Sequence, residues 1–288
     1  MKAIVNMACG LANRMFQYSY YLYLKKLDWD VSIDYTRKAS LPHEHVDWDR
    51  IFPFAPLTEA SSLKVLLLGG GSSIVSKFRR HYLRHTTRVI NMPSAFSADL
   101  PYYDNSYLIG VFQNAKMVES ISDEVRNAFM FNPFTDEDNL SLENKLINTP
   151  SVGIHVRKGE DYRNRVWYQN TCPLSYYMEA IKLIRKLVKN PQFFVFTDNP
   201  QWVKESFQGI EYTMILNNPK VGWGSHYDMQ LMSYCHHNII SNSTYSWWGA
   251  FLNHNSEKIV ICPNAWFNPN SCNDWTSKDV LCDNWITL

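Results

Sequence analysis

The 288-residue sequence has no surplus of one charge, no paired cysteines and no long apolar run. Its formal net charge is +1, so no overall field favours nucleic acid as a partner. The six cysteines (Cys9, Cys172, Cys235, Cys262, Cys272 and Cys282) never form a C-x-x-C pair. The ligand spacing of a structural zinc site is therefore missing. Thiols scattered in this way are expected to be reduced and mostly buried, as in a cytosolic protein. The opening MKAIVNMACG is too short an apolar run for a signal peptide. The strongest apolar cluster elsewhere, residues 65–68, is far below membrane-span length. No repeat of fixed period and no low-complexity tract occurs. A cytoplasmic globular protein is expected.

What is present is ordinary in bulk and unusual in one respect. Hydrophobic residues are 45% and charged residues 19% of the chain, which excludes disorder of the high-charge, low-hydrophobicity kind. The length allows one large domain or two medium ones. Aromatics reach 15%, with ten Trp and seventeen Tyr. Most of these rings fit a large aromatic core. Some could line a sugar site, because pyranose C–H faces are apolar and stack on rings.

Periodicity predicts a strand over 2–7, a helix over 13–27 and a strand over 31–34, the start of an α/β layer. Residues 39–107 are rich in proline and carry the triplet Gly69-Gly70-Gly71. Within them Lys77, Arg80, Arg84 and Arg88 stand at helical spacing. They read either as a solvated helix face or as a patch for an anionic membrane surface or diphosphate-linked acceptor. A helix is predicted over 118–131 and a polar linker over 139–150, dividing the chain into lobes 1–150 and 151–288. The second lobe alternates strands (151–156, 193–197, 213–216, 238–240, 258–262) with helices starting near Pro173, Asn199, Asp228 and Thr244, the pattern of a Rossmann-like doubly wound sheet.

In such a sheet ligands bind beyond the carboxyl ends of the strands, and three strands here end in polar residues. In VGIHVRKGEDY, His155 and Arg157 are two apart and share a strand face. Arg157 offers a planar fork to phosphate oxygens, or simply a salt-bridged strand terminus. In FFVFTDN, Asp198 either accepts from the N1–H and N2–H₂ edge of guanine or joins Asn199 in capping the next helix. In HNIISNSTYSWWGAFLN, Asn242, Ser243, Thr244 and Ser246 crowd a helix start, where free amides bind phosphate or where residues of these types merely cap. Trp247 and Trp248 either pack inward or line the site.

These segments carry a resemblance. DMQLMSYCHHNIISNSTYSWWGAFLN followed by VICPNAWF closely resembles the bacterial α-1,2-fucosyltransferases of glycosyltransferase family 11. GLANRMFQY looks like the family's G-x-G-N-Q-M-F-Q-Y opening, VGIHVRKGEDY like its H-x-R-R-G-D-Y motif and FVFTDNPQWV like its S-D-D-x-x-W segment. The motifs run in family order from Gly10 to Phe267, while residues 34–117 match none. Ala12 stands for a usual glycine, Arg14 for a glutamine and Lys158 for the second arginine. Glu160 precedes Asp161, so either could fill the family's aspartate position.

The resemblance implies a GT-B-like α/β fold, two Rossmann-like lobes with an inter-lobe cleft, and a nucleotide site in the C-terminal lobe. It implies that His155 and Asp198 contact guanosine and that Arg157 contacts the β-phosphate. Ser243, Thr244 and Tyr245, with Asn242 and Ser246, would hold the diphosphate. His226 and Asp228 would add nucleotide contacts, and Asn13 would reach the β-phosphate or the sugar from the first lobe. The implied reaction moves fucose from GDP-β-L-fucose, with inversion and without metal or cofactor, to the 2-hydroxyl of a terminal galactose. The acceptor is a free oligosaccharide or a lipid-linked glycan, and the enzyme works in the cytoplasm or at the inner membrane face. Glu160, Asp161 and Glu44 are candidates for the base.

Rival readings are weaker. Asp28-Trp29-Asp30 and Asp47-Trp48-Asp49 fit the D-x-D letters of metal-dependent transferases, a triplet common by chance. His43-Glu44-His45 could ligate a metal or be a charged loop. A non-catalytic sugar-binding protein would use the aromatics but needs no guanine-and-diphosphate constellation. A Rossmann oxidoreductase would carry G-x-G-x-x-G after a strand, which is missing.

Overall fold

The computed structural model describes residues 1–35, 46–92, 104–268, 270–271 and 277–288. The chain divides into two compact units, Met1–Phe131 and Asn132–Leu288.

The first unit contains β1 (Lys2–Asn6), α1 (Leu11–Lys26), β2 (Asp30–Asp34), α2 (Trp48–Ile51), α3 (Ser62–Leu68), α4 (Ile74–Tyr82), β3 (Val89–Asn91), β4 (Ser106–Ile109), α5 (Ala115–Ser120) and α6 (Ser122–Ala128). Its sheet has the order β2-β1-β4-β3, all parallel. The expected helix over 118–131 is two short helices, because the backbone leaves helical geometry at Ile121. The aromatic surplus goes largely into packing. Trp48 lies 5.2 Å from Tyr18, 5.1 Å from Phe52 and 5.9 Å from Phe129 between ring centroids. Its indole N–H reaches the Ala55 carbonyl.

The second unit contains α7 (Glu137–Ile147), β5 (Ser151–Val156), α8 (Glu160–Asn164), α9 (Leu174–Leu187), β6 (Gln192–Thr197), α10 (Pro200–Ser206), β7 (Thr213–Ile215), α11 (Tyr227–Tyr234), β8 (His237–Ile239), α12 (Thr244–Leu252), β9 (Val260–Cys262), α13 (Ser277–Val280) and β10 (Ile286–Thr287). The parallel sheet runs β10-β9-β8-β5-β6-β7. Strand β10 adds an edge that sequence periodicity misses, since two residues carry no pattern. Both units have the parallel α/β architecture expected of a GT-B-like chain.

The polar stretch 139–150, expected as a linker, is mostly helix α7, and the unit boundary falls before it rather than after Pro150. Asp136 caps this helix by accepting from the Asn139 amide, and two acidic residues, Glu137 and Asp138, occupy its positive first turn.

The core of the second unit lies between β5, β6 and α9. Val152, Ile154 and Val156 alternate along β5 and pack with Tyr177, Ile181 and Ile184. The other face of β5 carries Gly153 and His155. A Cβ on Gly153 would stand 2.9 Å from the Cys235 sulfur, so that face leaves no room for a larger residue there. Cys172, Cys235, Cys262 and Cys282 are buried and Cys9 is half-buried, and none of these five forms a disulfide. Burial pushes the Cys172 and Cys262 thiols up to about 11 and about 12. Cys272 lies outside the described residues. Among the described residues no helix is long and apolar enough to cross a membrane.

Candidate functional site

The chain visits β5, β6 and β7 on one side of the second sheet and then returns to build β8, β9 and β10 on the other. The strand order therefore reverses between β5 and β8, and the carboxyl ends of these strands form the crevice where doubly wound sheets take ligands. His155, Arg157, Asp198 and the start of α12 all meet at the ends of β5, β6 and β8.

His155 is held first. Its Nδ1 lies 2.8 Å from the Ser241 hydroxyl, and its ring centroid is 6.0 Å from that of Tyr245. Burial, followed by repulsion from Arg157 and from Lys220, pushes its pKa down to about 3. The imidazole is thus neutral at any physiological pH and offers one donor and one acceptor nitrogen.

Arg157 follows on the same strand face. It is half-buried and makes no salt bridge with other described residues. Its guanidinium sits 4.8 Å from the Tyr168 ring centroid. That stacking orients the planar fork without using up its N–H groups, so they are available to an anion.

Asp198 does something the sequence did not suggest. Its Oδ1 accepts from the backbone amides of Lys158, at 2.7 Å, and Gly159, at 2.9 Å. The helix-capping role falls to Asn199 alone, whose side chain accepts from the Trp202 amide. A Cβ on Gly159 would stand 2.7 Å from Asp198 Oδ2, so the glycine permits this close approach. The Asp198 side chain is solvent-accessible, yet protein crowds it on most sides. That desolvation raises its carboxyl above the usual value, against the lowering pull of the Lys158 amide, Arg157 and the Gly159 amide. One carboxylate oxygen thus ties the loop after β5 to the end of β6.

The cluster at α12 divides by role. Asn242 is buried, donates to the Trp266 carbonyl and lies 3.6 Å from the Cys172 sulfur. The Ser246 hydroxyl is buried against the Ser241 and Ser243 carbonyls. The Tyr245 hydroxyl accepts from the Met229 amide at 2.9 Å and donates to the Ser225 carbonyl at 2.8 Å. These three side chains brace the turn. Ser243, the residue before the helix, makes no side-chain cap. Its hydroxyl and that of half-buried Thr244 stand at the helix start, where the amides of residues 244–246 carry the positive end of the helix dipole. Trp247 and Trp248 pack inward: Trp247 stacks on Phe251 at 4.9 Å and donates to the Val280 carbonyl.

His226 and Asp228 flank the start of α11. His226 is buried beside Trp223, 5.1 Å between centroids. Asp228 accepts from Asn218 at 2.9 Å and from the Lys220 ammonium at 2.6 Å. Lys220 is a residue the sequence reading missed. It lies in an Asn-Pro-Lys loop with no motif, yet its charge reaches His155. Ser241 was missed too, because a serine one residue before a capping cluster has no distinguishing pattern.

Lys158, in place of the family arginine, is already engaged. Its ammonium donates to the Cys172 carbonyl and sits 4.5 Å from the Tyr162 ring and 5.2 Å from the Trp202 ring. It forms one wall of an open pocket of about 660 Å³ that also includes Arg163, Asn170 and Trp202. Glu160 is exposed at the start of α8. The Asp161 side chain and Glu44, with the His43-Glu44-His45 triplet, lie outside the described residues.

In the first unit Asn13 sits in the first turn of α1, and its Oδ1 accepts from Gln113 at 3.0 Å. Arg14 is buried, donates to the Cys9 carbonyl and the Tyr35 hydroxyl, and packs over the Tyr35 ring. The two D-x-D triplets place Trp29 and Trp48 in the core. Asp30 lies 3.9 Å from the Lys2 ammonium at the exposed surface. Among the described residues no group of His, Cys, Asp and Glu is arranged to hold a metal.

Comparison with known proteins fits this picture. An O-antigen biosynthesis glycosyltransferase, WbnK of Escherichia coli, is 33% identical over 195 residues, covering 64% of this chain and 61% of its own length. An α-1,2-colitosyltransferase of Escherichia coli is 29% identical over 191 residues, covering 62% and 61%. The match thus spans about three-fifths of each relative. The crystal structure of the fucosyltransferase NodZ from Bradyrhizobium superposes with a TM-score of 0.55 at 15% identity, covering 86% of this chain and 90% of that one, a likeness of fold. Residues 77–288 match the family model of glycosyl transferase family 11, and the chain belongs to that family.

Proposed function

We propose that this chain is an inverting glycosyltransferase that moves L-fucose from GDP-β-L-fucose to the 2-hydroxyl of a terminal galactose. The observation that carries the reading is the convergence of neutral His155, the stacked fork of Arg157 and the Ser243–Thr244 helix start at one topological switch point. A diphosphate needs donors and positive potential, and a base needs neutral hydrogen-bonding groups beside it. This crevice supplies both.

In the proposed step the acceptor oxygen forms a bond to the anomeric carbon while the bond from that carbon to the β-phosphate oxygen breaks. The electron pair leaves with GDP, and the acceptor proton passes to a base among Glu160, Asp161 and Glu44. Negative charge grows on the leaving diphosphate as the sugar takes on oxocarbenium character. Arg157 and the α12 amides are placed to stabilise that charge. Asn13 is assigned to the β-phosphate or the transferred sugar. His226 acts on the nucleotide. Asp228, paired with Lys220, fixes a cation near His155. No cofactor is assigned, and the leaving group is stabilised by protein donors rather than a metal.

A second reading keeps the chemistry and changes the donor sugar. Similarity to an α-1,2-colitosyltransferase favours it. Colitose lacks one hydroxyl of fucose, so the two donors differ by a single hydrogen-bonding group. The deciding experiment incubates the protein with GDP-fucose or GDP-colitose and a panel of β-galactosides, and determines the product linkage by NMR. An α-1,2-fucosylated product supports the first reading, and turnover of GDP-colitose alone supports the second. Absence of GDP binding by calorimetry overturns both and favours a sugar-binding protein without catalysis.

A further inference from the structure

The sequence between Glu59 and Asp99 contains Lys64, Lys77, Arg79, Arg80, Arg84 and Arg88, two histidines and no acidic residue. In a chain whose formal net charge is only +1, this is a strong local imbalance. Helical spacing suggested that Lys77, Arg80, Arg84 and Arg88 share one helix face. They do not. Helix α4 ends at Tyr82, Arg84 lies in a following 3-10 turn, and Arg88 lies beyond it.

Helix α4 is instead amphipathic the wrong way round. The side facing the unit carries Ser76, which is buried, and the guanidinium groups of Arg79 and Arg80. Arg79 donates to the carbonyls of Leu66, Leu67 and Thr86. Arg80 donates to those of Gly69, at 2.5 Å, and Gly71, at 2.9 Å. These arginines cap the end of α3 and fix α4 against it. The apolar arc faces outward: Ile74 is 86% exposed, Tyr82 66%, Val75 55% and Phe78 53%. Leu63 and Leu67, four residues apart on α3, are exposed as well. A surface helix ordinarily turns its apolar face to the core. Here α4 holds its apolar face outward by polar anchoring, beside the exposed Leu63 and Leu67 of α3, whose Val65 and Leu68 pack inward, with exposed Lys64, Lys77, Arg84 and Arg88 around them.

We propose that the α3–α4 face docks on an anionic phospholipid surface. Ile74, Phe78 and Tyr82 would enter the headgroup boundary, while Lys77 and Arg84 meet lipid phosphates. Large apolar side chains bounded by cations and free of anions are the composition of an interfacial helix. A soluble acidic protein would meet the charges but leave the apolar arc in water. A second copy of this chain would bring the same cations face to face in a symmetric pairing.

The test uses the full chain and sedimentation with vesicles of phosphatidylcholine alone or mixed with phosphatidylglycerol. The expected result is binding to the mixed vesicles, weakened by added salt, and little binding to phosphatidylcholine. Ile74→Ser with Phe78→Ser should weaken binding at least tenfold. Lys77→Gln with Arg84→Gln should weaken it by roughly tenfold to thirtyfold. All four side chains are exposed, so both variants should keep the wild-type melting temperature. Equal binding to the two vesicle types, no binding to either, or wild-type binding by both variants overturns the proposal. So does a dimer that the apolar variant converts to monomer in the absence of vesicle binding, which would make the face a self-interface.

Discussion

His155 Nδ1 and the Ser241 hydroxyl meet at 2.8 Å across the reversal of strand order between β5 and β8. The contact locks the imidazole from one side while burial, and then the charges of Arg157 and Lys220, oppose its protonation. The folded pKa is about 3, and the unfolded value is the ordinary 6.5. A depressed folded value means that protonation favours the unfolded chain. The stabilising contribution is therefore complete above 6.5 and is lost as pH falls towards 3, with a slope of up to about 1.4 kcal/mol per pH unit. Urea unfolding of wild type and His155→Asn across this window should give a stability difference that shrinks as the medium acidifies. A difference that stays constant with pH would show that His155 is not held neutral.

Arg157 stacks on Tyr168 and has no carboxylate partner among the described residues. Its charge does act on Asp198, but that carboxylate keeps the Lys158 and Gly159 amides when Arg157 is removed. Arg157→Ala should abolish transfer, lowering kcat/KM by about a thousandfold or more, while the melting temperature stays within a few degrees. Arg157→Lys should rescue little, because an ammonium cannot reproduce the planar fork. Steady-state kinetics together with a thermal melt decide the matter. A folded Arg157→Ala protein with a near-normal rate would remove this residue from the mechanism.

The second unit was far more legible in sequence than the first. Its strands are short apolar runs bounded by polar ends, and helices such as α9 have strong 3.6-residue spacing, so pattern and fold agree. What escaped was set by tertiary contact. Glu137–Ile147 is too polar to announce a helix, and its capping and packing become visible only in the fold. Asp198 read as a guanine acceptor or a cap, and its bonds to the Lys158 and Gly159 amides join residues forty positions apart. Lys77, Arg80, Arg84 and Arg88 had the right spacing for one charged face, but helix termination at Tyr82 leaves Arg84 and Arg88 beyond α4, and the Gly69 and Gly71 carbonyls engage Arg80. Charge spacing fixes which residues could share a face. It does not fix which side of the helix the rest of the protein occupies.

Helices α11 and α12 meet at Gly249, where an added Cβ would stand 2.8 Å from the Met232 Cβ. The contact is between side-chain roots, so rotation of a flexible end cannot relieve it. Gly249→Val should destabilise the protein by about 1–3 kcal/mol through overpacking. The same substitution should weaken GDP binding, because α12 carries Ser243 and Thr244 at its start. Denaturant unfolding and GDP titration measured together test both parts. Unchanged stability would mean that the two helices can separate without cost.

Metal dependence is open to a direct assay. The Asp47-Trp48-Asp49 triplet places its indole in the core, and the described residues contain no arrangement of ligands for a cation. With leaving-group charge assigned to Arg157 and the α12 amides, transfer should proceed at an unchanged rate in excess EDTA. A rate that falls in chelator and returns with a divalent ion would transfer that role to a metal.

Gly159 offers the sharpest probe of the loop after β5. Its amide and that of Lys158 are held by Asp198 Oδ1, and a Cβ at this position would lie 2.7 Å from Oδ2. The glycine φ is not in the left-handed region, so Gly159→Ala adds a steric conflict without backbone strain. The short Asp198 side chain has little freedom to yield, and the conflict should break one or both amide bonds, each contributing about 1.5–3 kcal/mol as a charge-assisted hydrogen bond. The loop then shifts beside Arg157. GDP affinity should fall by about tenfold or more, while the fold, whose core lies on the other face of β5, persists. Asp198→Asn should act in the same direction but more weakly, because its amide oxygen can still accept from the two N–H groups. Calorimetric titration of GDP into the three proteins orders them. If Gly159→Ala binds as wild type and Asp198→Asn does not, Asp198 contacts the nucleotide directly rather than acting through the loop.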